Sequence, residues 1–198
     1  EFWEDNLKIA TMPNGAPCLE QRFEVPFGEH GHRLSGRIDK IVELNNNLYL
    51  CDTKTTKTSL TDLYFRNFQP NNQIYAYIWA ARNVLGLNIA GFIVDAVQTG
   101  VHFCRFNRNI FNVSQSSIDE WYHDCQYAVS LADAYSTNEY YPANFTSCGN
   151  YGGCKFREVC AEQPDHREII LREDFIKEPH PDLVVDNVIS LAEARKNK

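Results

Sequence analysis

The sequence predicts a mixed β-sheet flanked by helices, an α/β or α+β domain. Strand-like and helix-like segments follow one another in the order strand, strand, strand, helix, strand, strand, helix. Of the 198 residues, 43% are apolar and 23% are charged, which is typical of a globular domain and not of a disordered or fibrous chain. This length fits one domain of ordinary size, or one domain with a small appendage.

Three strands are predicted in the first part of the chain. Residues 21–27 alternate between apolar and polar side chains, and residues 33–44 and 47–53 are rich in Ile, Val, Leu and Tyr. Asn45 and Asn46 separate the last two strands, and asparagine tolerates the positive φ of a tight turn. These two strands therefore form a predicted hairpin.

Two helices and two more strands are predicted further along. Apolar residues recur every three or four positions in 71–85, and Gly86 is a typical helix end. Segments 89–98 and 101–106 have strand patterns. A helix is expected over 117–136, with Ser117 and Glu120 spaced as a capping box. A last helix is expected near 186–196.

Composition limits the function classes. No apolar run reaches the roughly 20 residues of a membrane helix, and the N-terminus lacks a basic region followed by an apolar one. These absences predict an intracellular protein. The chain starts at Glu1 without Met, so we expect a trimmed protein or part of a longer one. A net charge of −7 argues against nucleic-acid binding by bulk charge alone, but it leaves a nuclease with a local basic groove open.

The predicted hairpin gathers two carboxylates and an ammonium group. With a two-residue turn, paired positions sum to 91, so Asp39 faces Asp52. Lys54 lies two residues beyond Asp52 and points to the same face. Carboxylates bind Mg²⁺, and a lysine beside the metal orients a water for phosphodiester hydrolysis. A surface ion pair is the alternative explanation.

The order of three motifs resembles the PD-(D/E)XK nuclease superfamily and its RecB-like branch. These motifs are Gly36-x-x-Asp39, Asp52-x-Lys54 and Gln73-x-x-x-Tyr77. The resemblance implies a restriction-endonuclease-like fold, in which a mixed central sheet is flanked by helices.

The same resemblance implies a role for each of these residues. Asp39, Asp52 and the backbone carbonyl of Thr53 would bind catalytic Mg²⁺ or Mn²⁺, and Lys54 would position the attacking water. Gln73 and Tyr77 would shape the site and contact the DNA backbone; the alternative is that they are ordinary helix surface and core.

One feature departs from the RecB-like pattern. The branch carries a histidine on a helix before the first motif, whereas no histidine here precedes His30. His30 and His32 lie in a predicted turn and are poor substitutes. Glu20 and Glu24 are acidic residues nearby, and Glu24 is expected to be an exposed strand residue.

A cluster of cysteines predicts a second metal centre. Cys148, Cys154 and Cys160 lie within a polar, glycine-rich stretch, and thiolates at such spacing suit an Fe–S cluster or Zn²⁺. Buried free thiols are the alternative. The chain resembles the iron–sulfur branch of the superfamily, the AddB-type and CRISPR adaptation nucleases, although its late spacing differs. That resemblance implies a [4Fe–4S] cluster with Cys18 as fourth ligand. Three other cysteines are expected to pack as hydrophobes: Cys51, Cys104 and Cys125.

The leading hypothesis is a metal-dependent DNA nuclease, an exonuclease acting on single- or double-stranded ends, with a helicase or other recombination subunit as partner. A catalytically silent DNA-binding or scaffold relative and a zinc-stabilised interaction module are the alternatives. We expect the nuclease core and its cysteine-rich segment in residues 1–163, and a partner-docking tail in 164–198.

Overall fold

The computed structural model describes residues 7–28 and 31–175. The described residues divide into two compact units, the first reaching to Asp133 and the second beginning at Ala134. The predicted fold class is confirmed, since the first unit contains a mixed sheet with helices packed against it. The predicted boundary at 163/164 stays a prediction.

Six strands form this sheet. They are β1 (Lys8–Ile9), β2 (Leu19–Pro26), β3 (Arg33–Leu44), β4 (Asn47–Thr56), β5 (Ile89–Thr99) and β6 (Cys104–Asn112). The strand order is β1-β3-β4-β5-β6, and β2 also pairs with β3. Neighbours are antiparallel except β4 and β5, which run parallel.

The predicted hairpin of β3 and β4 is confirmed. Asn45 and Asn46 have φ values of 49° and 61°, as a two-residue hairpin turn with two positive φ angles requires. Leu44 pairs with Asn47, and the pairing continues to Lys40 and Cys51 in the register that sums to 91.

The helices of the described chain are α1 (Asp62–Arg66), α2 (Asn72–Asn83), α3 (Gln115–Thr137), α4 (Arg157–Ala161) and α5 (Arg167–Asp174). The Asn71 side chain caps α2 by accepting a hydrogen bond from the Ile74 N–H at 3.2 Å. Ile74 and Ile78 are buried in the main core, which also contains Phe23 and Phe92 from the sheet. This core holds α2 over one face of the sheet.

Arg82 connects the end of α2 to two strands. Its guanidinium group donates to the carbonyl oxygen of Ile89 at 2.6 Å and to that of Val113 at 3.0 Å. Burial lowers the pKa of Arg82, and these carbonyl groups offset the loss of water around its charge. The arginine therefore fixes α2 relative to the start of β5 and the end of β6.

Two of the predicted boundaries are wrong. The strand expected over 101–106 begins at Cys104, because the Gly100 N–H donates to the Phe103 carbonyl and closes a turn there. Helix α3 begins at Gln115, and Ser114 accepts a hydrogen bond from the Ser117 N–H at 3.1 Å. Ser114 therefore occupies the capping position, and the expected capping box does not form.

The second unit contains α4, α5 and short 3₁₀ turns. Phe156 stacks on Phe175 with ring centroids 4.9 Å apart, which connects the start of α4 to the end of α5. The helix expected near 186–196 lies outside the described residues, as does most of the expected docking tail. In the part of the chain that is described, no helix is both long and apolar enough to cross a membrane.

Candidate active site

The candidate site lies where β3 and β4 separate. Their pairing ends at Lys40 and Cys51, one position before Asp39 and Asp52 in the same register. Beyond this point β3 pairs with β2, while β4 continues beside β5. The two aspartates therefore lie at the mouth of a gap between diverging strands.

Strand β3 is distorted at this point. Ile38 and Ile41 are three positions apart, yet both are buried in the main core, which the alternating side chains of an undistorted strand do not allow. On the facing strand, Glu20 has a φ of 50° and lies between the pairs that flank Asp39. Asp39 therefore lies between the two core-facing segments of β3.

Four of the predicted site residues line one cleft. These are Asp39, Asp52, Gln73 and Tyr77. The remaining lining residues are Ile38, Lys40, Leu50, Cys51, Ile74 and Phe92. Two strands and one helix thus bring together side chains that are up to 38 positions apart in the chain.

Lys54 joins the site through Asp52. Its ammonium nitrogen lies 2.6 Å from Oδ2 of Asp52, and both side chains are partly buried, at 36% and 26% exposure. The ion pair that the alternative explanation expects therefore forms, but it forms beside a cleft that also contains Asp39. The side chain of Thr53 accepts a hydrogen bond from Lys40 at 3.4 Å, and the proposed role of its carbonyl oxygen stays a prediction.

Gln73 and Tyr77 lie on α2 and contact each other. The Gln73 amide donates to the Tyr77 hydroxyl at 3.2 Å, as the spacing of four residues on one helical face permits. The Tyr77 ring also meets the edge of Phe23, with centroids 6.1 Å apart. A Cβ atom at Gly36 would lie 2.8 Å from Phe23 and 2.9 Å from Tyr77. Gly36 therefore provides the space in which Tyr77 approaches the sheet.

Replacing Gly36 with alanine should lower the free energy of unfolding by about 1–3 kcal/mol, because the new methyl group overlaps both rings. We also expect slower substrate cleavage, since Tyr77 must move. Urea denaturation measures the first effect. Gly149→Ala is the matched control, because a Cβ there meets no atom within 4 Å; equal stability of the two variants would contradict the packing role of Gly36.

Comparison with known protein families agrees with this geometry. The sequence model of the PD-(D/E)XK nuclease superfamily matches residues 13–161, about three quarters of the chain. The chain belongs to the PD-(D/E)XK nuclease superfamily. The crystal structure of SSO0001 aligns with 61% of this chain and 50% of its own, at 16% identity and a TM-score of 0.36. The present chain thus matches half the length of that protein. No curated protein matched the sequence.

PD-(D/E)XK nucleases typically use Mg²⁺ or Mn²⁺, and the donor set here fits such an ion. Mg²⁺ retains several waters and is commonly held by one or two carboxylates together with substrate phosphates. Asp39 and Asp52 supply two carboxylates to one cleft. Across the described residues, no three His, Cys, Asp or Glu side chains converge to hold a metal ion. A metal at this site would therefore take its other ligands from water, substrate or the backbone.

Tyr64 on α1 lies near the site, which the sequence did not predict. The charges of Lys54 and Asp52 both act on its hydroxyl group. Burial raises the pKa of Tyr64; the nearby Asp52 carboxylate also raises it, and the Lys54 ammonium group opposes the shift. The sequence feature that could have predicted α1 is Thr61, a typical N-cap residue. Its side chain accepts a hydrogen bond from the Tyr64 N–H at the start of this helix.

A charged network lies on the opposite face of the sheet, behind the aspartates. Asp95 on β5 accepts hydrogen bonds from Arg108 at 2.5 and 2.9 Å, and Lys40 lies 4.0 Å away. The Cys51 thiol donates to the same carboxylate at 3.6 Å. Burial, and then the charge of Asp95, raises the pKa of Cys51 to about 12. The network thus connects β3, β4, β5 and β6 where the pairing of β3 and β4 ends.

The structure describes three of the four residues considered in place of the RecB-like histidine, namely Glu20, Glu24 and His32. His32 lies 2.5 Å from Asp133 on α3, and His30 lies outside the described residues. The prediction that Glu24 is exposed is wrong: its side chain is only 16% exposed, because it forms an ion pair with Arg33 on the neighbouring strand. Glu20 forms an ion pair with Arg37 at 2.9 Å. Both glutamates thus have arginine partners on the neighbouring strand.

The cysteines fall into two environments. Cys18 is fully buried in the first unit. Its backbone forms hydrogen bonds with the backbones of Ala10 and Ile41, and burial raises the pKa of its thiol. In the second unit, the Cys154 N–H donates to the Cys148 carbonyl at 3.0 Å, closing the loop between them. Cys154 and Cys160 are exposed and Cys148 is half-buried. Among the described residues, these three thiols do not form a group that could hold a metal ion in the arrangement seen here.

The three other cysteines were expected to pack as hydrophobes. Cys51 does so, at 2% exposure. Cys125 is only half-buried, and the prediction is wrong for Cys104, which is exposed. The reason is the shifted start of β6, which places Cys104 at the first position of an edge strand.

Proposed function

We propose that the chain hydrolyses phosphodiester bonds of DNA with Mg²⁺ or Mn²⁺ held by Asp39 and Asp52. The observation that supports this most is that both carboxylates and the Gln73–Tyr77 pair line one cleft, with Lys54 hydrogen-bonded to Asp52. A surface ion pair alone does not account for a second carboxylate and a polar helix face at the same place.

Each residue has a separate task in this proposal. When bound, the metal ion supplies a more acidic water and neutralises negative charge that develops on the phosphate. The Lys54 ammonium group donates to the attacking water or to a phosphate oxygen. Gln73 and Tyr77 donate to the substrate backbone and hold it in the cleft. Thr53 is proposed to contribute its backbone carbonyl oxygen to the metal.

We also propose an end-processing role. The RecB-like order of the motifs supports an exonuclease acting on single- or double-stranded ends, in repair or recombination, beside a helicase or similar subunit. Linear DNA labelled at one end, compared with closed circular DNA of the same sequence, distinguishes exonuclease from endonuclease action. Cleavage of the circular DNA would contradict the end requirement.

The main test is cleavage of end-labelled single- and double-stranded DNA with Mn²⁺ or Mg²⁺. The parent should cleave, and Asp52→Ala should reduce the rate by at least about 1,000-fold, because it removes a metal ligand. Asp124→Ala is the matched control, since Asp124 is an exposed carboxylate on α3. A parent that fails to cleave but binds DNA would support a catalytically silent relative instead.

We further propose that Cys148, Cys154, Cys160 and Cys18 bind a [4Fe–4S] cluster, with Zn²⁺ as the alternative. The close spacing of three thiols supports this, as do Gly152 and Gly153, whose φ values of 88° and 109° allow a tightly wound loop. Iron and zinc content of protein purified without oxygen is the measurement. Cys148→Ser should lose the metal and Cys104→Ser should retain it; a metal-free parent would overturn the proposal.

A further inference from the structure

The third of the chain that lies between Asp52 and Asp119 is locally basic. Between Asp52 and Asp119 there are six Lys and Arg residues and two acidic ones, whereas the whole chain has 19 basic and 26 acidic residues. Lys54 and Arg108 have carboxylate partners. Lys57 and Arg105 are exposed, and no carboxylate in the described part of the chain pairs with either. They remain available to an anionic partner.

The sheet places Lys57 and Arg105 at the same end. Strands β4 and β5 run parallel, with Thr56 paired to Gln98, and Gln98 pairs in turn with Arg105 on β6. The Gln98 amide donates to the Lys57 carbonyl at 3.4 Å. Neighbouring strands are about 4.8 Å apart, so Arg105 lies about 10 Å across the sheet from Thr56.

This end of the sheet adjoins the candidate site. Lys54 lies two residues before Thr56 on β4, and its side chain points to the same face. A strand of nucleic acid whose phosphate is held near Asp52 and Lys54 would therefore reach Lys57 and Arg105 within a few nucleotides.

The turn before β6 presents an aromatic ring together with the arginine. Phe103 is 46% exposed, and the guanidinium carbon of Arg105 lies 4.9 Å from its ring centroid. The Gly100 N–H donates to the Phe103 carbonyl at 2.9 Å, and a Cβ at Gly100 would lie 2.3 Å from the Phe103 ring. The turn therefore holds the ring against Gly100 and supports Arg105 above it.

We propose that Lys57, Phe103 and Arg105 bind the single-stranded segment of the substrate next to the cleaved phosphate. An unpaired base stacks on the Phe103 ring in place of the Arg105 guanidinium group, which then contacts a phosphate as Lys57 does, since aromatic rings interleaved with basic residues bind single strands in this way. A duplex offers phosphates but no free base face, so the ring favours a single strand. This inference rests on the proposed nuclease function and names the form of its substrate.

The test measures binding separately from cleavage. Full-length protein carrying Asp52→Ala is titrated with a short fluorescent oligothymidylate and with a duplex of the same length, followed by fluorescence anisotropy. Phe103→Leu should weaken binding of the single strand about 5- to 100-fold and binding of the duplex much less. Phe103→Tyr should restore it. In a plot of log binding constant against log salt concentration, Arg105→Ala and Lys57→Ala should each make the slope less steep by about 0.7.

Two control variants define the outcomes. Val101→Ala changes a residue of the same turn that is 91% exposed, and Lys8→Ala removes an exposed cation from β1, at another edge of the sheet. If Phe103→Leu and Arg105→Ala bind single strands as these controls do, the surface proposal is overturned, even where the protein with Asp52 intact cleaves DNA. If the parent fails to cleave but the binding differences appear, the nuclease proposal fails and the surface proposal stands.

Discussion

Replacing Lys54 with methionine should slow DNA cleavage by about two to four orders of magnitude while leaving Mn²⁺ bound. A loss of this size is expected when the group that orients or deprotonates the attacking water is removed. Methionine keeps the length of the side chain and removes its charge. Because the ammonium group lies 2.6 Å from Asp52, its removal eliminates a cation that competes for the carboxylate. Mn²⁺ affinity should therefore stay equal or rise.

Two measurements are needed for this prediction. Single-turnover cleavage at saturating Mn²⁺ gives the rate, and isothermal titration calorimetry gives the metal affinity. Lys155→Met serves as the matched control, since Lys155 is an exposed lysine of the second unit. If Lys54→Met cleaves within threefold of the control, Lys54 is only the partner of Asp52 in an ion pair. Loss of Mn²⁺ binding together with activity would instead indicate that Lys54 positions Asp52.

The part of the site that the sequence predicted is the part fixed by local structure. A two-residue turn with positive φ at Asn45 and Asn46, followed by one-to-one pairing, determines the register from Leu44 and Asn47 to Lys40 and Cys51. The helical spacing of Gln73 and Tyr77 is equally local, and the two side chains are hydrogen-bonded. Both depend on residues close together in the chain.

The part that the sequence missed depends on contacts between distant segments. The distortion of β3 near Asp39 coincides with a positive φ at Glu20, on a strand that joins β3 from outside the hairpin. Helix α1 has only five residues, too few for a hydrophobic period to be recognised, so Tyr64 was not expected near Asp52. The shifted start of β6 likewise follows from a turn closed by Gly100 and Phe103.

The charged network behind the site could not be predicted for the same reason. Asp95 and Arg108 are 13 positions apart and meet only because β5 and β6 pair in that register. Lys40 joins them from β3, on the far side of β4. No periodicity within a single strand reveals such a cluster, because each strand contributes only one or two of its members.

Replacing Asp95 with alanine should lower the free energy of unfolding by about 2–4 kcal/mol. The change deprives Arg108 and Lys40 of a shared carboxylate while both remain partly buried, at 15% and 29% exposure. Removing one partner of a buried ion pair costs more than the pair itself contributes, because the remaining charge is left poorly solvated. Urea denaturation of the variants measures the loss.

A double-mutant cycle tests whether the network acts as a unit. Arg108→Met alone should also destabilise the fold, but adding it to Asp95→Ala should cost much less than the sum of the two single changes. Additive losses would contradict the coupling. The network also spans the point where the pairing of β3 and β4 ends, next to Asp39 and Asp52. Asp95→Ala should therefore raise the Mn²⁺ concentration needed for half-maximal binding, whereas a substitution that only destabilised the fold would leave the folded protein's affinity unchanged.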